Sequence, residues 1–230
     1  MTGAARRLGR ALVVALADAG ADVIVHYRTS AAAARETVAA IEANGQRAVA
    51  LQGDLASSGD IARLVADAER AFGRLDILVN SASLFERRRV LEISAAEWDR
   101  VLAVNLKGPF LLSQAAVPLL RRDGGVIVNL VDLSALQAWP SFAHHAVSKA
   151  GLLHLTRILA RALAPDIRVN SIAPGTVLPP EAYEGEDGSG KRVIRRTGEP
   201  GDVVAALLYL IRADFVTGEN LVVDGGRMLL

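Results

Sequence analysis

The sequence contains no cysteine, which excludes a disulfide framework, a zinc–thiolate site and a thiol nucleophile. It has no excess of one charge either, because 26 basic residues are balanced by 25 acidic ones, and its basic runs are short. This balance does not favour a nucleic-acid surface. No apolar run reaches the roughly 18 residues of a membrane span, and no signal-peptide pattern opens the chain. We therefore expect a cytoplasmic protein that binds neither membranes nor nucleic acid.

Apolar residues make up 51% of the 230 residues, which is enough for one sizeable core. No linker, repeat or low-complexity tract divides the chain, so we expect one domain spanning residues 1–230. The one stretch without periodicity is about 174–200, where prolines and a run rich in glycine and acidic residues cannot sustain regular structure. It is predicted to be a loop over a site.

Short β-branched runs alternate with helical patterns along the chain. The predicted strands are 22–27, 46–51, 75–80, 125–131, 167–172 and 220–223. The predicted helices are 8–19, 30–43, 58–72, 94–121, 142–163 and 200–212. This order predicts an α/β fold, a three-layer doubly wound (Rossmann) parallel sheet with helices on both faces.

One feature conflicts with that fold. A doubly wound domain has its glycine-rich turn after a first, central strand, whereas here the turn begins at Thr2. Either the protein starts upstream of Met1, or the sheet lacks its middle strand. We favour the first explanation, because a central gap would leave two rows of buried backbone groups without partners.

The glycine-containing turn leads directly into an apolar helix, so its backbone N–H groups and the helix dipole are predicted to hold a diphosphate. The alternative is that these small residues form only a tight turn. The residues of the turn assigned to cofactor binding are Gly3, Arg6, Arg7, Leu8 and Gly9.

The end of the next strand distinguishes between two nicotinamide cofactors. An NAD site usually has an acidic residue there to hold the ribose hydroxyls. Here the residues are Tyr27, Arg28, Thr29 and Ser30, with no carboxylate. A guanidinium beside hydroxyl groups suits a 2′-phosphate, so NADPH is the predicted cofactor. The alternative is that Arg28 is a solvated surface residue.

These motifs resemble the short-chain dehydrogenase/reductase family, and the resemblance runs from residue 2 to about 226. Further matching motifs are Arg168-Val169-Asn170, Thr217-Gly218 and the run 223–226. The resemblance implies that Lys149 holds the nicotinamide ribose and that Asn105 supports it through a water. It adds to the cofactor site Asp54, Leu55, Asn80, Ser81, Ala82, Pro174 and Gly175.

Within that family the chain is most similar to pteridine and dihydromonapterin reductases. Those enzymes carry an arginine at the middle glycine of the turn, here Arg7, and an aromatic residue that stacks on the pterin, here Phe85. They also have aspartate in place of the catalytic serine, here Asp132. The substrate site implied by the resemblance consists of Arg7, Ser83, Phe85, Asp132 and His145.

Asp132 suits this chemistry, because a pterin presents nitrogens that must be protonated as hydride arrives at carbon. We expect burial to raise the pKa of the carboxyl group toward neutrality. The alternative for Asp132 is a cap of the turn after a strand. The alternative for Phe85 is core packing.

The family's proton donor, a tyrosine four residues before the lysine, is here His145. Residues at i and i+4 share a helix face, and imidazole can donate a proton near neutral pH, although the charge of Lys149 favours neutral imidazole. Three functions remain open: an NADPH-dependent pterin reductase, a carbonyl or 3-oxoacyl reductase, and an NADPH-binding sensor without turnover. The resemblance also implies a homo-oligomer, a tetramer or dimer, formed through helices 94–121 and 142–163.

Overall fold

The computed structural model describes residues 1–178 and 193–230, and these ranges contain the elements named here. The strands are β1 (Val23–Tyr27), β2 (Ala48–Gln52), β3 (Ile77–Asn80), β4 (Gly125–Leu130), β5 (Ile167–Pro174) and β6 (Asn220–Val223). The helices are α1 (Arg7–Asp18), α2 (Ala31–Ala43), α3 (Ser58–Phe72), α4 (Ala95–Leu102), α5 (Gly108–Leu120), α6 (Ala143–Leu163) and α7 (Pro200–Arg212). Every predicted strand is present, with small shifts at the ends.

All strand pairs are parallel: β1 pairs with β2, and the other strands follow the order β3-β4-β5-β6. Every residue of β4 is buried, as expected for a strand covered on both faces. One face packs against α1, α2 and α7, and the other against α3, α5 and α6. The predicted three-layer α/β fold is confirmed.

The sheet is divided between β1 and β3, where the sequence predicts a missing central strand. Only Met1 and Thr2 bridge the two halves in the described part of the chain. The Met1 amine donates to Ile24 O (3.0 Å), and Thr2 N donates to Val79 O (2.9 Å). Next to them lies a cavity of about 320 Å³, lined mostly by apolar side chains. Two residues thus occupy a position where an undivided sheet has a full strand.

The predicted helix 94–121 is not continuous. A π-helical turn, Ala103–Lys107, separates α4 from α5 and contains the buried Asn105. Apolar periodicity does not reveal such a turn, because α5 is apolar on almost all sides and a change of helical phase before it leaves no visible mark. Single π turns occur often at functional sites, where they redirect a side chain. Here the turn directs the amide of Asn105 toward the N-terminal part of α6.

Part of the predicted loop 174–200, residues 179–192, lies outside the described residues. The described parts of this segment are residues 175–178 after β5 and residues 193–199 before α7. Among the residues that the structure describes, no helix is long and apolar enough to cross a membrane. The same residues contain no cluster of side chains that could hold a metal ion.

Candidate active site

A cavity of about 920 Å³ opens at the carboxyl ends of the strands, where ligands bind in open α/β sheets. Most of the predicted site residues share it. Asn80 and Asn105 are the two that do not line it. Those that do are Gly3, Arg6, Arg7, Leu8, Gly9, Tyr27, Arg28, Thr29, Ser30, Asp54, Leu55, Ser81, Ala82, Ser83, Phe85, Asp132, His145, Lys149, Pro174 and Gly175.

The turn before α1 requires glycine at two positions. Gly3 has φ +63°, and a Cβ there would lie 2.9 Å from Ala82 Cα. A Cβ on Gly9 would collide with the carbonyl oxygen of Gly3. The turn therefore packs its backbone closely against neighbouring backbone and leaves open the space above it, toward which the first N–H groups of α1 can point.

Arg7 occupies a backbone conformation that favours glycine. Its φ is +53°, the only positive φ of a non-glycine residue in the described chain. The left-handed region costs an L-residue about 1 kcal/mol or more. The Arg7 side chain extends to the segment after β5, where Nη2 donates to Leu178 O at 3.0 Å. The arginine that stands at the position of the family's glycine thus connects the turn before α1 with the segment after β5.

The end of β1 presents a cation to the cavity. Arg28 is exposed and, within the described ranges, forms no ion pair, while its carbonyl oxygen accepts from Gln52 Nε2 at 3.0 Å. Asp54, at the end of β2, lines the same cavity, and its Oδ1 caps Ala56 N at 2.9 Å. In this part of the cavity the carboxylate therefore lies at the end of β2, while the end of β1 carries the cation.

His26 is a buried residue of β1 to which the sequence analysis assigned no role of its own. Its Nδ1 accepts from Gly3 N (3.2 Å), and its Nε2 lies 3.1 Å from Gly53 O. Burial lowers the pKa of His26 to about 4, so the ring is neutral at physiological pH. A neutral ring with its proton on Nε2 satisfies both contacts and ties the turn to the end of β2. The residue could have been noticed as a polar side chain inside an apolar strand.

Asn80, which the sequence places in the cofactor site, is buried and does not line the cavity. Its Nδ2 donates to Asn129 Oδ1 (2.8 Å) and to Ser113 Oγ (3.3 Å). The turn after β3 is shaped by Thr2, whose Oγ1 accepts from the backbone N–H groups of Ser81 (2.9 Å) and Ala82 (3.1 Å). Sequence reasoning assigned no such role to Thr2.

Asp132 and His145 form a close pair in the substrate half of the cavity. His145 Nε2 lies 2.6 Å from Asp132 Oδ2, and His145 Nδ1 lies 2.9 Å from Leu84 O. Both ring nitrogens face acceptors, an arrangement that the doubly protonated imidazolium fills with two donated hydrogen bonds. The Asp132 side chain is 22% exposed and that of His145 only 2%, so the carboxylate is the more accessible of the two.

The predicted raised pKa of Asp132 is wrong. Burial does raise it, but the hydrogen bond and charge of His145, the charge of Lys149 and the bond from Ser134 outweigh that effect. The resulting pKa is about 2, so Asp132 is a carboxylate at neutral pH. It also caps the turn Leu133–Ala135 by accepting from Ser134 N at 2.8 Å. The two interpretations of Asp132, site residue and turn cap, are therefore compatible.

Lys149 and Asn105 make direct contacts with protein groups. Lys149 is buried, its Nζ donates to Leu130 O at 2.7 Å, and burial lowers its pKa while Asp132 raises it. Asn105 exchanges two hydrogen bonds with the backbone of Leu84 (2.7 and 2.9 Å) and donates to Ser148 Oγ (3.1 Å). Its amide Nδ2 also lies 3.3 Å from His145 Nδ1, so Asn105 contacts His145 and its neighbours and does not contact Lys149.

A row of aromatic rings begins beside His145. Phe85 is 51% exposed, stacks on Phe142 (4.4 Å between centroids, 12° between planes) and contacts the edge of His145 (4.8 Å, 84°). Core packing, the alternative for Phe85, does not fit this exposure. Trp139 continues the row, 6.2 Å from Phe142. The sequence assigned no site role to Phe142 or Trp139.

Comparison with known proteins gives one family along almost the whole chain. The family described as enoyl-(acyl carrier protein) reductase matches residues 3–227. The chain is 32% identical to a 3-oxoacyl-[acyl-carrier-protein] reductase of Synechocystis sp., covering 100% of this chain and 96% of that protein. It is 38% identical to 3beta-hydroxysteroid dehydrogenase 1 of Eggerthella lenta (100% and 92%). It superposes on FolM alternative dihydrofolate reductase 1 from Brucella canis, crystallised with NADP, with a TM-score of 0.92 and 37% identity (100% and 93%).

Proposed function

The chain belongs to the short-chain dehydrogenase/reductase family, and on that premise we propose that it is an NADPH-dependent reductase of a pterin or dihydropterin. The observation that carries the proposal is the Asp132–His145 pair under the exposed ring of Phe85. A flat heterocycle lying on Phe85 would have its ring nitrogens beside a carboxylate. A structural neighbour named for dihydrofolate reduction, at 37% identity, supports the same substrate class.

The residues present fit NADPH. The close packing of Gly3 leaves room for a diphosphate over the start of α1, and Arg28 suits the 2′-phosphate through charge-assisted hydrogen bonds. Lys149 would hold the nicotinamide ribose, with its ammonium already fixed on Leu130 O. Bound NADPH supplies the hydride. The NADP in the Brucella canis structure supports this choice of cofactor.

The proton would come from the chain's own residues. Because Asp132 is ionised at neutral pH, it cannot be the resting proton store. His145 can donate its Nε2 proton to Asp132 Oδ2, which passes it to the substrate nitrogen as hydride reaches the adjacent carbon. Imidazolium becomes neutral imidazole in this step, and solvent restores its proton. Asp132 thus touches substrate, while His145 acts through it.

A second candidate is a carbonyl or 3-oxoacyl reductase, favoured by the relative from Synechocystis. Such a reaction uses a neutral hydroxyl donor to the carbonyl, and here an ionised Asp132 and the enclosed His145 stand at the corresponding positions. That difference makes it the weaker proposal. The third candidate is a sensor that binds NADPH without turnover, because His145 replaces the family's tyrosine.

NADPH oxidation followed at 340 nm tests the three functions. The substrates are dihydrobiopterin, dihydrofolate and a panel of ketones and 3-oxoacyl thioesters. Turnover of a pterin and not of carbonyl compounds is the expected result. Quenching of Trp139, which lines the cavity, measures NADPH binding in parallel. Binding without turnover of any compound would support the sensor instead.

The homo-oligomer stays a prediction. It is supported by apolar side chains exposed on α5 and α6, namely Phe110, Val147 and Ile158. Light scattering coupled to gel filtration measures the mass, and the expected result is a dimer or tetramer. A Val147→Glu substitution should reduce that mass if α6 forms the contact.

A further inference from the structure

Arg227 is a cation of the cavity that the proposed reaction does not use. It follows β6 in the C-terminal turn Arg227–Leu229, is half-buried and lines the same cavity as His145. Its Nη1 lies 3.4 Å from Thr176 Oγ1, and its Cζ lies 5.9 Å from the centre of the Trp139 ring. Within residues 1–178 and 193–230 no carboxylate forms an ion pair with it.

The chain fixes Arg227 in this place through Asp224. Asp224 Oδ1 accepts from Gly226 N (2.8 Å) and its Oδ2 accepts from Met228 N (2.7 Å), which closes the turn on both sides of the arginine. Gly175 packs against the same aspartate so closely that a Cβ would lie 2.9 Å from Asp224 Cα. The backbone of the turn that carries Arg227 is therefore fixed beside the cavity, and the guanidinium itself contacts the side chains of Thr176 and Trp139.

An aromatic row joins the reacting groups to Arg227. It begins at His145, continues through Phe85 and Phe142, and ends at Trp139, against which the guanidinium packs. Ring faces of this kind accept flat, weakly polar groups. A half-buried cation at the end of such a row gains from an anion, because desolvation strengthens a charge-assisted hydrogen bond.

We propose that Arg227 binds the carboxylate of a substrate in which a flat ring is joined through an aromatic spacer to an anionic end. The proposal rests on the proposed pterin reduction and narrows its substrate class to pterins with a carboxylate-bearing tail, as in dihydrofolate. The reacting ring lies on Phe85, the spacer follows Phe142 and Trp139, and the carboxylate reaches the guanidinium. Unconjugated pterins use the same reacting groups without this contact.

The test compares two substrates at saturating NADPH, dihydrofolate with its carboxylates and dihydrobiopterin without them. Arg227→Met should raise KM for dihydrofolate roughly tenfold or more, the scale of a lost hydrogen bond to a charged group. KM for dihydrobiopterin and the Kd of NADPH from calorimetry should stay within twofold. Arg227→Lys should recover part of the dihydrofolate KM. Arg212→Met, an exposed α7 arginine outside the cavity, is the matched control.

Equal losses for both substrates, or a weakened NADPH complex, would overturn the proposal, since Arg227 would then support the fold or the cofactor. If the wild type reduces neither pterin, the proposed reaction fails, and the tail site is tested by calorimetry on the NADP⁺-loaded protein. Folate binding that is lost in Arg227→Met would still support the carboxylate contact. Folate binding that is absent in the wild type, or equal in the variant, would exclude it.

Discussion

His145 Nε2 lies 2.6 Å from Asp132 Oδ2, which joins the first turn of α6 to the end of β4. This pair replaces the serine and tyrosine expected from the resemblance to the family. Because His145 is enclosed and Asp132 is partly exposed, the pair has an inner and an outer member. The proposed proton relay from His145 to the substrate depends on this order.

Asp132→Asn should lower pterin turnover about 10²-fold or more, the typical worth of a positioned acid or base, because the amide cannot relay a proton. NADPH affinity and the melting temperature should change little. Rates and thermal unfolding measure both. Ser134→Ala is the control, since it removes the hydrogen bond that Ser134 Oγ donates to the Asp132 carboxylate and keeps the charge of that carboxylate. Loss of folding with an unchanged rate in the folded fraction would assign Asp132 to turn capping alone.

Replacement of His145 tests whether this residue supplies the proton or has no part in catalysis. If His145 supplies the proton, His145→Phe should lower pterin turnover about 10²-fold or more, with NADPH affinity kept within a few-fold. If the wild type is inactive, His145→Tyr should create activity. Turnover rates and NADPH titrations of the three proteins give the answer. An active wild type whose turnover is unaltered by both changes would leave Asp132, alone or with water, as the source.

Arg28→Asp should lower NADPH affinity roughly tenfold to a hundredfold, the scale of one hydrogen bond to a charged group. NADH affinity should hold or improve, because the new carboxylate can accept from the ribose hydroxyls. Titration with both cofactors measures the preference. Arg35→Asp makes the same charge change on the exposed side of α2, outside the cavity, and should leave it unaltered. An unchanged preference in Arg28→Asp would mean that the phosphate is bound elsewhere.

Because His26 is buried as a neutral ring, the free energy of unfolding should decrease as the pH falls below 6.5. Its folded pKa of about 4 lies below the ordinary value of 6.5, so between these pH values the unfolded chain binds more protons. The contribution of neutral His26 to the free energy of unfolding is complete above pH 6.5. It decreases by up to about 1.4 kcal/mol per pH unit as the pH falls toward 4. Urea unfolding at pH 7 and pH 5 should show a smaller difference for His26→Leu than for the wild type.

His154→Leu is the control for that measurement, because this α6 histidine is exposed. It should leave the acid dependence unchanged. His26→Leu should also weaken NADPH binding at pH 7, since Gly3 N loses its acceptor. Equal pH dependence in the wild type and His26→Leu would show that the buried ring does not govern stability in this range.

Gly9→Ala should abolish NADPH binding and destabilise the fold, because the new methyl group collides with Gly3 O inside the turn. The matched control is Gly201→Ala in α7, where a Cβ meets nothing within 4 Å and alanine is the better helix former. The control should be neutral or slightly stabilised. Calorimetry with NADPH and thermal unfolding measure both effects. Normal binding by Gly9→Ala would show that the turn can open.

Much of the fold follows from local patterns. The apolar run in β4 and the amphipathic stretch of α3 predict their elements, since burial on two faces or one leaves a distinct periodicity. Special backbone geometry is harder to predict from the sequence. The π turn at Ala103–Lys107 and the positive φ of Arg7 cannot be recognised from the apolar pattern, because α5 is apolar almost all round and a single dihedral angle has no periodicity.

The sequence by itself determined the parallel α/β fold, the glycine turn before α1, the cation at the end of β1 and the places of Asp132 and His145 beside one cavity, because these depend on residue type and spacing. Only the tertiary structure decided how the groups pair. The pKa of Asp132 depends on His145, thirteen residues away. Likewise Arg227 reaches Trp139 across the chain, and no local rule anticipates that contact. Charge and hydrogen bonding act through space, so they are set only when distant segments meet.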